Sequence, residues 1–146
     1  MKIARILPII LLFVAFAADA GAQCKGFAKQ SCLPELKSYV HDGNYHAAVL
    51  VEGEEAELYK TFYADMEYRV AICGADNLPN VEFKILDSNK NVLYNSKDAN
   101  YPRTWDFKLE SSQQLKLVVK VTNFSQPGDT PSSGCVSIMF GFKVKN

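Results

Sequence analysis

The chain has 146 residues, with 16 basic and 16 acidic side chains and a formal net charge of zero at pH 7. A protein this close to neutrality lacks the basic surface that binds nucleic acid or anionic lipid, so we expect neither as a partner. The length fits a targeting segment followed by a single domain.

Residues 1–22 have the three-part pattern of a cleavable secretory signal peptide. Lys2 and Arg5 supply the positive start, an uncharged apolar run follows over residues 6–18, and small residues close the segment. The run has about 13 residues, whereas a membrane-spanning helix needs roughly 20. We predict cleavage after Ala22, with a cut after Ala20 as the alternative. The mature protein is then secreted or periplasmic and has no membrane span.

All four cysteines lie beyond the signal peptide: Cys24, Cys32, Cys73 and Cys135. An even number of cysteines in an exported chain predicts two disulfides, and the lack of a C-x2-C pair argues against zinc. Cys73 closes one predicted strand and Cys135 opens another, which favours a Cys73–Cys135 bond with a local Cys24–Cys32 bond. The alternative has two long-range bonds that tie the N-terminal segment to the sheet.

A helical segment is predicted at the start of the mature chain, within residues 23–45. Pro34 suits a first helical turn, and Leu33, Leu36 and Val40 recur at helical spacing up to about residue 40. An Asp-Gly-Asn stop signal follows.

Apolar residues then alternate with polar ones, which predicts strands over residues 46–146. Eight short strands with turn signals between them indicate a mostly β fold, an eight-stranded antiparallel β-sandwich of jelly-roll-like order. In that order the third and eighth strands are neighbours. The predicted strands cover residues 47–52, 57–63, 68–73, 81–85, 92–95, 104–109, 115–121 and 136–144.

The two histidines, His41 and His46, are the first candidates for a functional site, with Asp42 beside them. Metal binding would require these groups to converge, but they lie in a predicted polar loop, where we expect solvated side chains. The chain has no G-x-S-x-G motif, and its cysteines are expected in disulfides. The sequence therefore predicts no catalytic residue, no metal and no cofactor.

A partial calcium-loop pattern occurs at Asp87-x-Asn89-x-Asn91, with Asp98 further along. The glycine that such a loop needs at its sixth position is replaced by Val92. We expect a hairpin turn here, since Asp and Asn favour turns.

Three tyrosines, Tyr59, Tyr63 and Tyr101, are candidates for an aromatic platform that binds a sugar or a peptide. Tyr59 and Tyr63 share one face of a predicted strand, and Tyr101 lies in a loop. Trp105 alternates with Phe107 and is expected in the core instead.

Parts of the mature chain resemble known exported domains. The stretches AELYKTFYADMEYRVAICG, VEFKILDSNKNVLYNS and GCVSIMFGFKV are similar to bacterial pre-peptidase C-terminal-like domains, although Asn91 stands where glycine is common. With QCKGFAKQSCLPEL and WDFKL, the layout also resembles small exported β-sandwich proteins of Bacteroidota-type bacteria. Both resemblances imply the fold and the compartment, and neither implies an activity.

These observations predict an exported, non-enzymatic β-sandwich module with a binding or structural role at the cell envelope or outside the cell. Its partner would be a protein or a glycan. One alternative is a carbohydrate- or peptide-binding accessory domain. Another is a small hydrolase or inhibitor.

Overall fold

A computed structural model describes residues 20–144 of the chain. The predicted signal peptide lies outside the described residues except for its last three, and its cleavage remains a prediction. The described chain forms nine strands in two antiparallel sheets, which confirms the predicted mostly β sandwich. Within residues 20–144, no helix has the length and apolar character needed to cross a membrane.

All eight predicted strands are present, with ends that differ by a few residues. The predicted count of eight was wrong by one, because Val40–His41 forms a short additional strand in place of the end of the helical segment. The strands are β1 (Val40–His41), β2 (His46–Val51), β3 (Glu55–Phe62), β4 (Met66–Gly74), β5 (Val81–Leu86), β6 (Val92–Asn95), β7 (Thr104–Lys108), β8 (Gln113–Val121) and β9 (Ser133–Val144).

The first sheet is built around β9, a strand of 12 residues. One side of β9 pairs with β1 and β2, and the other side pairs with β4, which in turn pairs with β7. In the β4–β9 ladder Ile72 lies opposite Ile138, so the predicted third and eighth strands are neighbours as expected. The second sheet has the order β3-β8-β5-β6.

The main core lies between the two sheets and follows from residue alternation. On β8 the apolar residues Leu115, Leu117 and Val119 are buried, and Lys116 lies between them on the outer face. Successive side chains of a strand point to opposite faces of the sheet, so this pattern buries one face only.

The N-terminal segment covers the outer face of the first sheet. It consists of α1 (Ala20–Phe27), a π-helical turn (Ala28–Cys32) and a 3-10 turn (Leu33–Leu36). Ala28, Leu36 and Met139 meet there in a second buried cluster. A side chain at Gly141 would place its Cβ 2.6 Å from the Tyr39 Cβ, so this glycine lets the segment approach β9 closely.

The disulfides join Cys24 to Cys135 and Cys32 to Cys73, with Cα–Cα distances of 5.2 and 5.6 Å. The favoured pairing, Cys73–Cys135 with Cys24–Cys32, was therefore wrong, and the alternative with two long-range bonds is the one observed. On the sheet, Cys73 lies opposite Ser137, two residues along β9 from Cys135. Such diagonal neighbours are about 7–8 Å apart, beyond the usual reach of a disulfide. Both sheet cysteines instead bond to the segment packed above them.

Candidate functional site

The two sheets meet along two seams, and the seam between β6 and β7 is closed by stacked aromatic rings. The Tyr94 ring stacks on Trp105 with 4.6 Å between ring centroids, and Trp105 stacks on Phe107 at the same distance. These large rings fill the space between the sheet edges. Trp105 packs against the main core, as predicted.

The opposite seam, between β2 and β3, is open. Ala48 on β2 and Ala56 on β3 line a cleft of about 350 Å³ there, together with Leu50 and Leu58. The cleft reaches the buried core residue Val119. Its size falls in the range of small binding clefts, and its walls are mostly apolar, as such sites usually are. We call it the seam cleft.

Further along β3, a lysine points inward from the edge strand. The half-buried or buried positions of β3 are Ala56, Leu58, Lys60 and Phe62, so Lys60 occupies the apolar phase of the strand. Its ammonium group lies 2.9 Å from Asp42 Oδ2 and 5.0 Å from the centre of the Phe140 ring. The lysine charge is therefore met by a carboxylate and by an aromatic face.

A second pocket of about 210 Å³ lies on the far side of this ion pair, lined by Asp42, Lys60, Tyr63 and Phe142 among others. The Phe140 ring separates the two spaces, since His46 of the seam cleft packs edge-on against it at 5.9 Å between centroids. The open seam thus holds two apolar pockets on the inner side of β3, with the Asp42–Lys60 pair between them.

Burial and hydrogen bonding set the charges in this region. Burial acts to raise the pKa of Asp42, but hydrogen bonds from the Asn44 amide and from Lys60 outweigh it, so this pKa lies below its ordinary value. Burial lowers the pKa of His46, and the neighbouring Lys60 and His41 act in the same direction, against the carboxylate of Asp42. Asp42 is therefore ionised and His46 neutral at pH 7.

The histidines lie at the ends of short strands and not in the predicted polar loop. His41 Nε2 lies 3.0 Å from the Asn44 carbonyl oxygen and 3.6 Å from Asp42 Oδ1. His46 begins β2 and faces Phe140. Among residues 20–144, no group of three His, Cys, Asp or Glu side chains is placed to hold a metal ion.

The three predicted platform tyrosines lie in different places. Tyr59 is 57% exposed on the outer face of the second sheet, where the Lys116 ammonium lies 5.8 Å from its ring centre. Tyr63 lines the second pocket, and Tyr101 lines a polar pocket of about 270 Å³ with Arg103 and the loop after β4. The three rings do not form one platform, and a binding role for each stays a prediction.

The partial calcium-loop pattern forms the hairpin turn between β5 and β6, as expected. Asp87 Oδ1 accepts hydrogen bonds of 2.9 Å from the amides of both Asn89 and Asn91, and Asp87 Oδ2 accepts one of 3.0 Å from the Asn91 side chain. These bonds hold the pKa of Asp87 below its ordinary value. The carboxylate is thus engaged by the turn itself.

The seam cleft was not among the sites predicted from the sequence. One signal was present, because Lys60 interrupts the apolar phase Ala56, Leu58, Phe62 of β3. A charge in the inward phase of a strand indicates an edge position or a site. The second signal is the pair of alanines at the seam, Ala48 and Ala56. They indicate a cleft only when β2 and β3 are known to lie side by side.

No known protein family matches the chain, and no curated protein matches it. Solved structures do match its fold. One is the crystal structure of Aeromonas hydrophila PliG, a periplasmic lysozyme inhibitor of g-type lysozyme, which is similar with a TM-score of 0.52 and 12% sequence identity. The match covers 73% of this chain and 90% of PliG. At this identity the likeness concerns the fold alone.

Proposed function

We propose that this protein is an exported, non-enzymatic binding module whose ligand is another protein. The seam cleft is the observation that supports the proposal most directly. Burying a large apolar side chain stabilises a fold by about 1.5–3 kcal/mol, as the aromatic rings do at the β6–β7 seam. Ala48 and Ala56 leave the opposite seam open to a ligand instead.

The chemistry of the cleft favours a protein ligand over a glycan. Its walls are mainly aliphatic, whereas a sugar-binding site needs clustered aromatic rings and polar groups. The fold likeness to PliG, an inhibitor of a lysozyme, supports a protein ligand as well. Inhibition of a lysozyme is the most specific form of this proposal.

The signal-peptide pattern and the two disulfides support an exported location, because disulfides persist in oxidising compartments. The partner should therefore be another protein of the periplasm, the cell surface or the culture fluid.

The experiment that tests the proposal uses the exported protein purified with its disulfides intact. It is added to a purified g-type lysozyme during the lysis of a cell-wall suspension, and it is also immobilised to capture proteins from periplasmic extract and culture fluid. Each captured protein is then purified, and its affinity is measured by calorimetry. A stoichiometric loss of lytic rate supports lysozyme inhibition, and a different partner with a measurable affinity supports binding alone. The proposal is contradicted if the lytic rate is unchanged and no protein is captured with a measurable affinity. It is also contradicted if the protein binds only to a glycan array.

A matched pair of variants on β2 locates the binding. Ala48→Leu fills the seam cleft, whereas Val49→Leu adds a methylene group on the opposite face of the same strand. We expect Ala48→Leu to weaken binding at least tenfold without lowering the melting temperature, and Val49→Leu to leave binding unchanged. Equal affinities of the two variants would place the binding surface elsewhere.

A further inference from the structure

The outer edge of β3 carries no neighbouring strand within the part of the chain that the structure describes, since β3 ends the second sheet and pairs with β8 only. The phase of the β3–β8 ladder follows from one hydrogen bond, in which the Val121 amide donates to the Glu54 carbonyl at 3.1 Å. In an antiparallel pair, alternate residues direct their backbone groups to the partner. Even-numbered residues of β3 therefore bond β8, and Glu55, Glu57, Tyr59 and Thr61 direct their N–H and C=O groups to the free edge.

The two pockets of the open seam lie in register with this edge. Ala56 and Leu58 line the seam cleft, and Lys60 lines the second pocket. A strand added at the edge would place alternate side chains opposite these even-numbered residues, on the inner side of the sheet. Alternate residues of a strand are about 7 Å apart. Side chains two or four positions apart on the added strand would thus enter one pocket each.

Charges at the edge favour a segment from another protein over a second copy of this chain. Glu54 and Glu55 are exposed where β3 begins and would attract a basic residue at one end of the segment, whereas the Glu57 carboxylate already pairs with the Lys116 ammonium at 2.9 Å. If β3 of a second copy paired with this edge instead, its own inward-pointing Lys60 would lie at the apolar seam, opposite Ala56 or Leu58. Inward charges on edge strands oppose such self-pairing.

We infer that β3 binds an extended segment of its partner by β-strand addition, with two apolar side chains in the seam pockets and a basic residue beside Glu55. This inference rests on the proposed protein ligand and specifies its chemistry. In this mode, backbone hydrogen bonds supply affinity, and pockets for alternate side chains supply specificity.

The test begins with random twelve-residue peptides displayed on phage and selected on the purified exported protein. The best peptides are synthesised, and their affinities for the wild type and for two variants are measured. Tyr59→Pro removes an edge-facing N–H without removing a β3–β8 hydrogen bond. Tyr59→Ala removes only the side chain. We expect selected peptides with apolar residues two or four positions apart and a nearby Lys or Arg. Tyr59→Pro should weaken their binding at least tenfold, and Tyr59→Ala less than threefold.

A second measurement uses the unaltered protein, so that it does not depend on the folding of a variant. Methylation of successive backbone amides of the best peptide should weaken binding at every second residue, because only alternate amides face β3. The inference is overturned by three outcomes: no peptide is enriched, the methyl scan lacks this alternation, or Tyr59→Ala costs as much affinity as Tyr59→Pro. It is also overturned if light scattering shows a wild-type dimer that Tyr59→Pro converts to a monomer.

The fate of the inference can be separated from that of the proposed function. A protein partner whose affinity is the same for Tyr59→Pro and the wild type supports the proposed function and contradicts strand addition. The absence of any protein partner contradicts the proposed function itself.

Discussion

Replacing Cys32 and Cys73 together by alanine removes the bond that fastens the π-helical turn to β4. The two cysteines are 41 residues apart in sequence. Closing a loop of that length lowers the conformational entropy of the unfolded chain and so raises its free energy by about 4 kcal/mol. Both side chains are also almost fully buried, at 0% and 1% exposure, so the lost sulfur atoms leave space in the second cluster. We expect the free energy of unfolding to fall by about 4 kcal/mol, which lowers the melting temperature of a domain this size by roughly 12–20 °C.

Urea titration of the wild type and of the double variant measures this loss directly. The matched control is Cys24→Ala with Cys135→Ala, which opens a loop spanning 111 residues and should cost about 5 kcal/mol. A loss below about 1 kcal/mol for Cys32 and Cys73 would refute the reasoning, because it would mean that this bond does not constrain the unfolded chain.

A tryptic map of the unreduced wild type tests the connectivity itself. Trypsin cuts after Lys25 and Lys29, so Cys24 and Cys32 fall in separate peptides. The observed pairing links peptide 23–25 to 121–143 and peptide 30–37 to 70–84. A link between 23–25 and 30–37 would show that the local bond forms instead.

Three further predictions concern the closed seam, the β5–β6 turn and the acid response. Trp105→Ala should lower the free energy of unfolding by about 3 kcal/mol in urea, because it removes the middle ring of the aromatic stack; a loss below about 1 kcal/mol contradicts that role. Lys90→Gly should raise it by about 0.5–1 kcal/mol, since Lys90 has a left-handed φ of 65° that glycine adopts without strain; a decrease contradicts this reading. The lowered pKa of His46 means that the unfolded chain binds its proton more readily, so stability should fall as the pH drops through the ordinary value of 6.5, and less so in His46→Leu. Urea titrations at several pH values check this. If the free energy of unfolding changes with pH equally in the wild type and in His46→Leu, the prediction is contradicted. The lowered pKa of Asp42 acts in a separate window, because its contribution is lost only as the pH falls below 3.8.

The strands could be predicted because they depend on local alternation. Apolar residues repeat at every second position of β8, and Val136, Ile138, Phe140 and Phe142 do the same in β9; this period defines a strand whatever its neighbours are. Val40 was misassigned because its spacing from Leu36 also fits a helix. Its pairing with Phe142, across most of the chain, decided the matter in favour of β1.

The disulfide pairing illustrates a conflict that sequence reasoning could have detected. Cys24 and Cys32 are eight residues apart in a segment predicted to be helical, and eight helical residues span about 12 Å. A disulfide between them requires Cα atoms less than about 7 Å apart. The predicted helix and the predicted local bond therefore excluded each other, and the helical segment is the one that forms.

The sequence alone determined the β class of this protein, the positions of eight of the nine described strands, the turn at Asp87 and the use of all four cysteines in disulfides. Each of these depends on residue spacing or composition along a short stretch of chain. The partners of the cysteines, the closed and open seams and the free edge of β3 were decided by the tertiary structure. They depend on which strands become neighbours, and β2 and β3 form a cleft only because each ends a different sheet on the same side of the sandwich.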